Sequence, residues 1–330
     1  LILVGLLAVG LVVVDQYYAD DNAAFEQYIG EFGKSYVSES EYEYRRAIFA
    51  DNLKFINENN AKGGSLLLGP TMFSDMTMQE FKRYLGYNGP EREASPETDG
   101  IPVTYEGTGY VDWNAKGKVT KAKNQKSCGS CWAFSAVAGL ESAYLMKNKG
   151  DVKTLDFSEQ QLVDCDKPDC HGCNGGEMIY AYENYYTKHG VCDQKHYKYT
   201  ARDGSCDSSK CEGDHPKTSG AKYDWNCRDP SKTFSELNQN GPLALGIAAG
   251  NSYFMNYKKG VITHTGCGSR LDHGVFLAGR VQKDGHDAWM IKNSWGPGWG
   301  ENGFVYVEDT GVTGAGICGV NIEHSRPVLA

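Results

Sequence analysis

No cysteine precedes residue 128, although the 330-residue chain has 11 of them. The first third therefore carries no disulfide and reads as a physical unit separate from the rest. No run of Lys or Arg and no basic tail occurs, and the formal net charge is −9. That excludes an extended phosphate-binding surface, so no nucleic-acid partner is expected. No Asn-x-Ser/Thr triplet offers a glycosylation site. No internal repeat is present, and 10 Pro with 40 Gly supply turns without low complexity. Nor is there an apolar run long enough for a stable membrane span. The run Leu1 to Val14, LILVGLLAVGLVVV, reaches about 21 Å as a helix, against a bilayer core of about 30 Å. Its length suits the apolar core of a secretory signal peptide, expected over residues 1–19 and truncated at its start, with cleavage near Ala19. A buried strand or helix is the competing reading, disfavoured by the polar DQYYADDNAAFEQ that follows at once.

What is present divides into two further units, 20–106 and 107–330. So many cysteines behind a secretory start point to an oxidising compartment, and their odd total leaves at least one thiol free. From Ala23 to Asn60 the pattern is charged and helical. Phe49, Leu53 and Ile56 share a face, and Glu41 can pair with Arg45 four residues on. Gly63 and Gly64 end that helix. A short strand and turn, LLLGPTMFSD, and a second helical stretch, MTMQEFKRYLG, come next. GPEREASPETDGIP, rich in Pro, Glu and Gly, is an exposed, cleavable linker.

The second unit begins helical. SCWAFSAVAGLESAYLMKN predicts an amphipathic helix starting at Ser130 or Cys131, and further helices are expected at Ser158 to Val163 and Glu177 to Lys188. The short apolar runs PLALGIAAG, GVITHT, HGVFLAGRV, AWMIKNSW and GFVYVED then predict antiparallel strands. A helical half followed by a strand half predicts two lobes with a cleft between them.

The stretch NQKSCGSCWAFS, Asn124 to Ser135, sets Cys131 in the first turn of a helix. Free N–H groups and the helix dipole there favour a thiolate over a thiol. Two other readings compete: a redox pair of Cys128 with Cys131, or a zinc site made by these two with Cys170 and Cys173. Neither employs the downstream motifs LDHGV (271–275) and KNSWGPGWG (292–300). A cysteine nucleophile needs a base within hydrogen-bond reach and a third group to orient the imidazole. His273 opens an expected strand and Asn293 closes one, so both can meet a helix N-terminus across a cleft.

QKSCGSCWAF, CNGG, LDHG and NSWGPGWGENGF resemble the signatures of papain-like, cathepsin L-type cysteine proteases. The resemblance extends forward: Glu41, Arg45, Phe49, Asn52, Ile56 and Asn60 match the interrupted helix motif of the cathepsin L-type propeptide. Gly69, Phe73 and Asp75 match the short motif after it, with Thr71 where Asn is usual. The resemblance implies an α+β, papain-like two-lobed fold with a helical left lobe, an antiparallel β-barrel-like right lobe and the active-site cleft between them. A helical propeptide would precede it, running through the cleft against the substrate direction until removed.

By the same resemblance Cys131 is the nucleophile, His273 its base and Asn293 the orienter of the imidazole. Gln125 is the side-chain donor of the oxyanion hole, beside the N–H of Cys131. A Cys131 thiolate and His273 imidazolium, persisting at mildly acid pH, would attack the scissile carbonyl, and water would hydrolyse the thioester. Gly175 and Gly176 form the ledge for an extended peptide. Met178, Gly246, Leu271, Gly274 and Glu323 line the S2 pocket, and Asp272 and Trp295 complete the substrate-binding set. Trp295 also shields the bond from Asn293 to His273. This lining fits Leu, Phe or Val at P2. Glu323 resembles the acidic floor of cathepsin B and some protozoan relatives, which also accept Arg; a solvent-facing Glu is the alternative.

The resemblance further implies disulfides Cys128–Cys173, Cys165–Cys206 and Cys267–Cys318. Cys131 stays free, and Cys170, Cys192, Cys211 and Cys227 remain unassigned, with three connectivities open if all four pair. No cofactor or metal is implied. Expected partners are protein or peptide substrates, the chain's own propeptide and cystatin-like inhibitors, with a monomeric enzyme. The expected location is the secretory pathway, in a lysosome-like or digestive vacuole or outside the cell. Nothing resembles the occluding loop of cathepsin B or the cleft-blocking peptide of cathepsin H, which favours an endopeptidase. The competing functions are an exopeptidase or transpeptidase, a silent peptide-binding homologue and a zinc-binding structural protein.

Overall fold

The computed structural model describes residues 22–89, 99–211, 216–263 and 265–330. The expected signal segment, 1–19, and residues 90–98 of the linker lie outside them.

The front unit is held by aromatic packing and one buried carboxylate. The single helical pattern expected over 23–60 is two helices, α1 (22–32) and α2 (Glu39–Asn60), because Gly33 turns the chain at φ +61°. Ser38 then caps α2 by accepting the N–H of Glu41. Phe25 and Tyr28 of α1 pack on Phe49 of α2, with ring centroids 5.4 and 4.7 Å apart. Asp75 accepts from Tyr28 (2.8 Å), Lys34 (2.7 Å) and Tyr36 (3.0 Å), so its burial is compensated. Arg45 forks onto both oxygens of Glu80 at 2.8 and 2.9 Å. Asn52 donates to the carbonyl of Ser74, and Asn60 pairs with both backbone groups of Leu68. Helix α3 (Met78–Phe81) starts on a reciprocal Thr77–Glu80 cap. Strand β1 (Leu67–Leu68) and the Thr71 hydroxyl, 2.6 Å from the Met255 carbonyl, dock this unit on the rest.

In the second unit, β2 (Val111–Asp112) is followed by α4 (Cys131–Met146), α5 (Glu159–Cys165) and α6 (Met178–Tyr180), which continues as a π turn over Ala181–Tyr185. Helix α4 is not amphipathic. It is buried on nearly every side, since β-strands cover one flank and α5 another. Then come β3 (Thr218–Asp224), α7 (Pro230–Asn240), β4 (Leu243–Ile247), α8 (Ser252–Met255), β5 (Tyr257–Lys259), β6 (Val261–Ile262), β7 (His273–Lys283), β8 (His286–Lys292), β9 (Phe304–Glu308) and β10 (His324–Leu329). Strand β5 pairs with β1.

The remaining strands form one eight-stranded sheet in the order β3-β10-β4-β7-β8-β9-β6, with β2 paired to β7 beyond the stretch that β4 covers. This corrects the expected barrel: the two-lobed α+β arrangement holds, but the sheet is open. Its outermost strands, β3 and β6, do not pair with each other, and β6 joins β9 in parallel. Closure needs the two edges to meet, whereas β3 and β10 diverge onto the helical side, where α4 packs against β10 and β7. A bulge between Leu277 and Gly279 adds local twist without closing the sheet.

Two lysines, Lys292 buried and Lys123 partly buried, lie beneath the cleft. Lys123 pairs with Glu141 (2.8 Å) and Glu159 (2.7 Å), and Lys292 donates to the carbonyl and hydroxyl of Thr120 at 3.2 and 3.1 Å. Removing Lys123 would strand the buried Glu141 and Glu159 carboxyls, so this cluster ties α4 to the start of α5. Among the described residues no helix is long and apolar enough to cross a membrane.

Candidate active site

Cys131 stands at the first position of α4, after a Ser130 cap whose side chain does not satisfy the helix N–H groups. Across the cleft, β7 begins at His273. Its next N–H, of Gly274, lies 3.3 Å from the Cys131 sulfur, which brings the two elements into contact. A Cβ at Gly274 would stand 3.2 Å from the backbone of Trp132, so a small residue lets them approach. Asn293 follows β8, and its Oδ1 takes the N–H of Ser294 at 2.7 Å. That contact sets the amide orientation, so His273 Nε2–H donates to the same oxygen at 2.8 Å. The other ring nitrogen, Nδ1, is buried without a hydrogen-bond partner among the described residues. Trp295 stacks on the imidazole with centroids 4.7 Å apart. Gln125 is oriented by Ser294, whose hydroxyl donates to Oε1 at 2.6 Å, leaving Nε2 to donate elsewhere.

The front unit occupies this site. Gln125 Nε2 donates to the carbonyl of Tyr84 at 2.8 Å and to that of Cys128 at 2.8 Å. The N–H of Gly86 points at the Cys131 sulfur from 3.1 Å. Tyr87 bridges Gly176 in parallel: Gly176 donates to Gly86 and Asn88 donates to Gly176, both at 3.0 Å. The Asp272 carbonyl accepts from Tyr87 at 3.2 Å, and the Asp272 side chain holds the Ala249 and Gly250 N–H groups. Gly175 lies under Asn88, whose amide a Cβ there would strike. Phe73 and Phe81 set their edges on Trp295 at 5.1 and 5.3 Å, completing the cover.

The Tyr87 ring lies among the residues expected to line S2. Its hydroxyl donates to Glu323, and its edge lies 3.2 Å from a Cβ built on Gly246, where Leu271 also converges. Met178 and Gly274 adjoin that wall. Glu323 is buried in this covered state, beneath the propeptide's Tyr87. The sequence reading passed over Gly86, Tyr87, Ser294 and Glu177, the last beside Tyr87. Ser294 stood in the NSW motif next to Asn293; the other three carry no pattern of their own.

Burial dominates the electrostatics of the covered site. It pushes the Cys131 thiol up to about 12 despite the opposing N–H groups of Gly274, Gly86 and Trp132. It pulls His273 down to about 4 despite Asn293. In this state the neutral thiol and imidazole are favoured, the reverse of the ion pair expected from the helix N-terminus alone, because desolvation outweighs the dipole.

Cys128 is bonded to Cys173, Cys165 to Cys206, Cys267 to Cys318 and Cys192 to Cys211. Cys131, Cys170 and Cys227 are free thiols. With Cys128 and Cys173 consumed, neither the redox pair nor the zinc site is available.

Comparison with known proteins agrees with this construction. Residues 108–328 match the model of the papain family cysteine proteases, and residues 25–81 match the cathepsin propeptide inhibitor domain. Chymopapain of Carica papaya is 38 % identical over 304 residues, covering 90 % of this chain and 83 % of that one. Digestive cysteine proteinase 2 of Homarus americanus is 35 % identical over 314 residues, covering 90 % and 93 %. Digestive procathepsin L2 from Tenebrio molitor larval midgut superposes with a TM-score of 0.80 at 30 % identity, covering 93 % of this chain and 99 % of that one. The chain therefore belongs to the papain family of cysteine proteases, as an endopeptidase held in zymogen form by its own propeptide.

Proposed function

We propose that Cys131 is the nucleophile, with His273 as the general base and then the general acid. The carrying observation is the convergence on one sulfur of the α4 N-terminus, the β7 residue after His273 and a propeptide N–H. With Nε2–H committed to Asn293, Nδ1 is the nitrogen that takes the thiol proton. Once the propeptide leaves, water and substrate dipoles lift the desolvation that keeps the pair neutral. The thiolate then attacks the scissile carbonyl, His273 returns the proton to the leaving amine, and water, deprotonated by His273, cleaves the thioester. Gln125 Nε2, relieved of the Tyr84 carbonyl, donates to the tetrahedral oxyanion together with the Cys131 N–H.

Substrate lies along Gly175 and Gly176 in the direction opposite to the propeptide, whose pairing with Gly176 is parallel. The S2 wall of Met178, Gly246, Leu271 and Gly274 takes Leu, Phe or Val, and Glu323 at its floor admits Arg. The enzyme acts as a monomer in a vacuolar, digestive or extracellular compartment, where cystatin-like inhibitors are its protein partners. Acid activation followed by a peptidyl epoxide tests the assignment. Mass spectrometry is expected to place one adduct on Cys131, and none on the His273→Ala variant at matched dose. An adduct on Cys170 or Cys227 would refute it.

A further inference from the structure

Glu177 is buried at 3 % exposure, directly after the Gly175–Gly176 ledge. Its Oε1 accepts the N–H of Met178 at 2.9 Å and so caps α6. Capping accounts for one oxygen only. Oε2 is buried and meets no hydrogen-bond partner at normal geometry among the described residues; the polar group beside this carboxyl is the hydroxyl of the propeptide's Tyr87, which leaves with the propeptide.

Glu177 and Glu323 line one small cavity with Ile179, Trp225 and His324. The propeptide's Tyr87 lies against both carboxyls and donates to Glu323. Burial, and then the charge of Glu323, push Glu177 up to about 8. His324, which lines the same cavity, is held neutral by burial and so supplies no cation. Departure of Tyr87 therefore leaves the carboxyl of Glu177 beside that of Glu323 at one pocket.

We infer that Glu177 is a second specificity-determining residue of S2, and that with Glu323 it clamps the guanidinium of a P2 arginine. The inference rests on the S2 assignment of Glu323 above. A guanidinium presents N–H groups on separate edges of a plane and can serve two carboxylates at once. A lysine ammonium is a compact point charge and serves two separated oxygens less well. The neutral phenol of Tyr87 fills the same space in the zymogen and donates to Glu323, without bringing a charge that would resist release.

The test uses activated enzyme, titrated with a peptidyl epoxide, on three peptides differing only in Arg, Lys or Phe at P2. Wild-type enzyme is expected to prefer Arg to Lys. Glu177→Gln keeps an oxygen to cap Met178. It is expected to lower kcat/KM for P2-Arg roughly tenfold or more, as for the loss of one charge-assisted contact, and to leave P2-Phe within about twofold. Equal loss on all three peptides, or no loss, overturns the role of Glu177. If Glu323→Gln alone lowers P2-Arg turnover, the clamp is wrong and the floor assignment of Glu323 stands. If neither variant changes the Arg-to-Phe ratio, the S2 assignment itself fails. Should Glu177→Gln yield no titratable enzyme, Glu177→Asp, which draws the carboxyl back by one methylene, is expected to reduce the Arg-to-Lys ratio; an unchanged ratio overturns the clamp.

Discussion

The N–H of Gly86 lies 3.1 Å from the sulfur of Cys131, and a Cβ built on Gly86 would stand 1.8 Å from the carbonyl oxygen of Gly129. The propeptide therefore crosses the nucleophile at a residue without a side chain, with its backbone tight against the loop that precedes α4. Neither backbone can yield: Gly129 is itself bonded to the Cys173 carbonyl, next to the Cys128–Cys173 disulfide.

Gly86→Ala is accordingly expected to lift the propeptide off the sulfur while leaving its helical body docked through β1 and Thr71. Overpacking of this kind costs about 1–3 kcal/mol, which converts to roughly 5- to 150-fold faster labelling of unprocessed zymogen by a peptidyl epoxide at neutral pH. Labelling at the wild-type rate would show that the Gly86 contact does not mask Cys131.

Acid acts on the imidazole. Burial lowers His273 to about 4 in the covered fold, from 6.5 when exposed. Between these values the unfolded or uncovered ring binds a proton that the covered ring refuses. The covered state thus loses stability as pH falls through that window, by up to about 3 kcal/mol. Melting curves of zymogen on an inactive Cys131→Ser background should show this. The drop in Tm between pH 6.5 and 4 is expected to be shallower when His273→Ala is added, and parallel slopes would place the acid response elsewhere. The Arg45–Glu80 fork does not share this window. Glu80 is held at about 2, so that pair keeps its full contribution above pH 4.5 and weakens only below it.

The chemistry-bearing positions were legible because each sits in a local motif: Cys131 in CGSCW, His273 in LDHG, Asn293 in NSW. Their relative placement follows from elements whose ends the apolar pattern marks. The sheet's open form was not legible, since edge pairing depends on which distant strands meet, and β6 with β9 and β3 with β10 join segments 45 and at least 100 residues apart. The sequence of α4 predicts an amphipathic helix, yet its polar residues Glu141 and Ser142 are buried, Glu141 against Lys123, a pairing that depends on residues distant in sequence. The Tyr87–Glu323 contact spans 236 residues, and no local rule reaches that far.

The thiol inventory offers a direct count. Four disulfides and three free thiols are present among the described residues, which include all 11 cysteines. Alkylation of the denatured, unreduced zymogen is expected to label Cys131, Cys170 and Cys227 alone, with Cys192 and Cys211 recovered as one crosslinked peptide. Recovery of Cys170 joined to Cys227 would contradict the fold, because their surroundings are unrelated: Cys170 contacts the Glu177 carbonyl, and Cys227 the Asp229 carbonyl.

Maturation should cut in a narrower place than composition suggests. By composition the whole stretch between the propeptide helices and the peptidase unit at residue 107 is open to attack. The structure ties much of that stretch to the peptidase unit. Gly100 donates to the Thr313 carbonyl at 2.8 Å, Thr313 returns a bond to Ile101 at 2.9 Å, and Val103 donates to Gly311 at 2.9 Å. Asp99 pairs with Arg228, and Tyr105 packs edge-on against Phe234 with centroids 5.5 Å apart. A protease needs several residues to leave their partners and extend into its cleft, and residues already paired as a strand resist this. The mature N-terminus is therefore expected at or before Gly100, with Ile101 to Tyr105 kept as a strap on the finished enzyme. Intact-mass measurement with N-terminal sequencing decides it; a terminus between Val103 and Gly107 would mean that these pairings yield during activation.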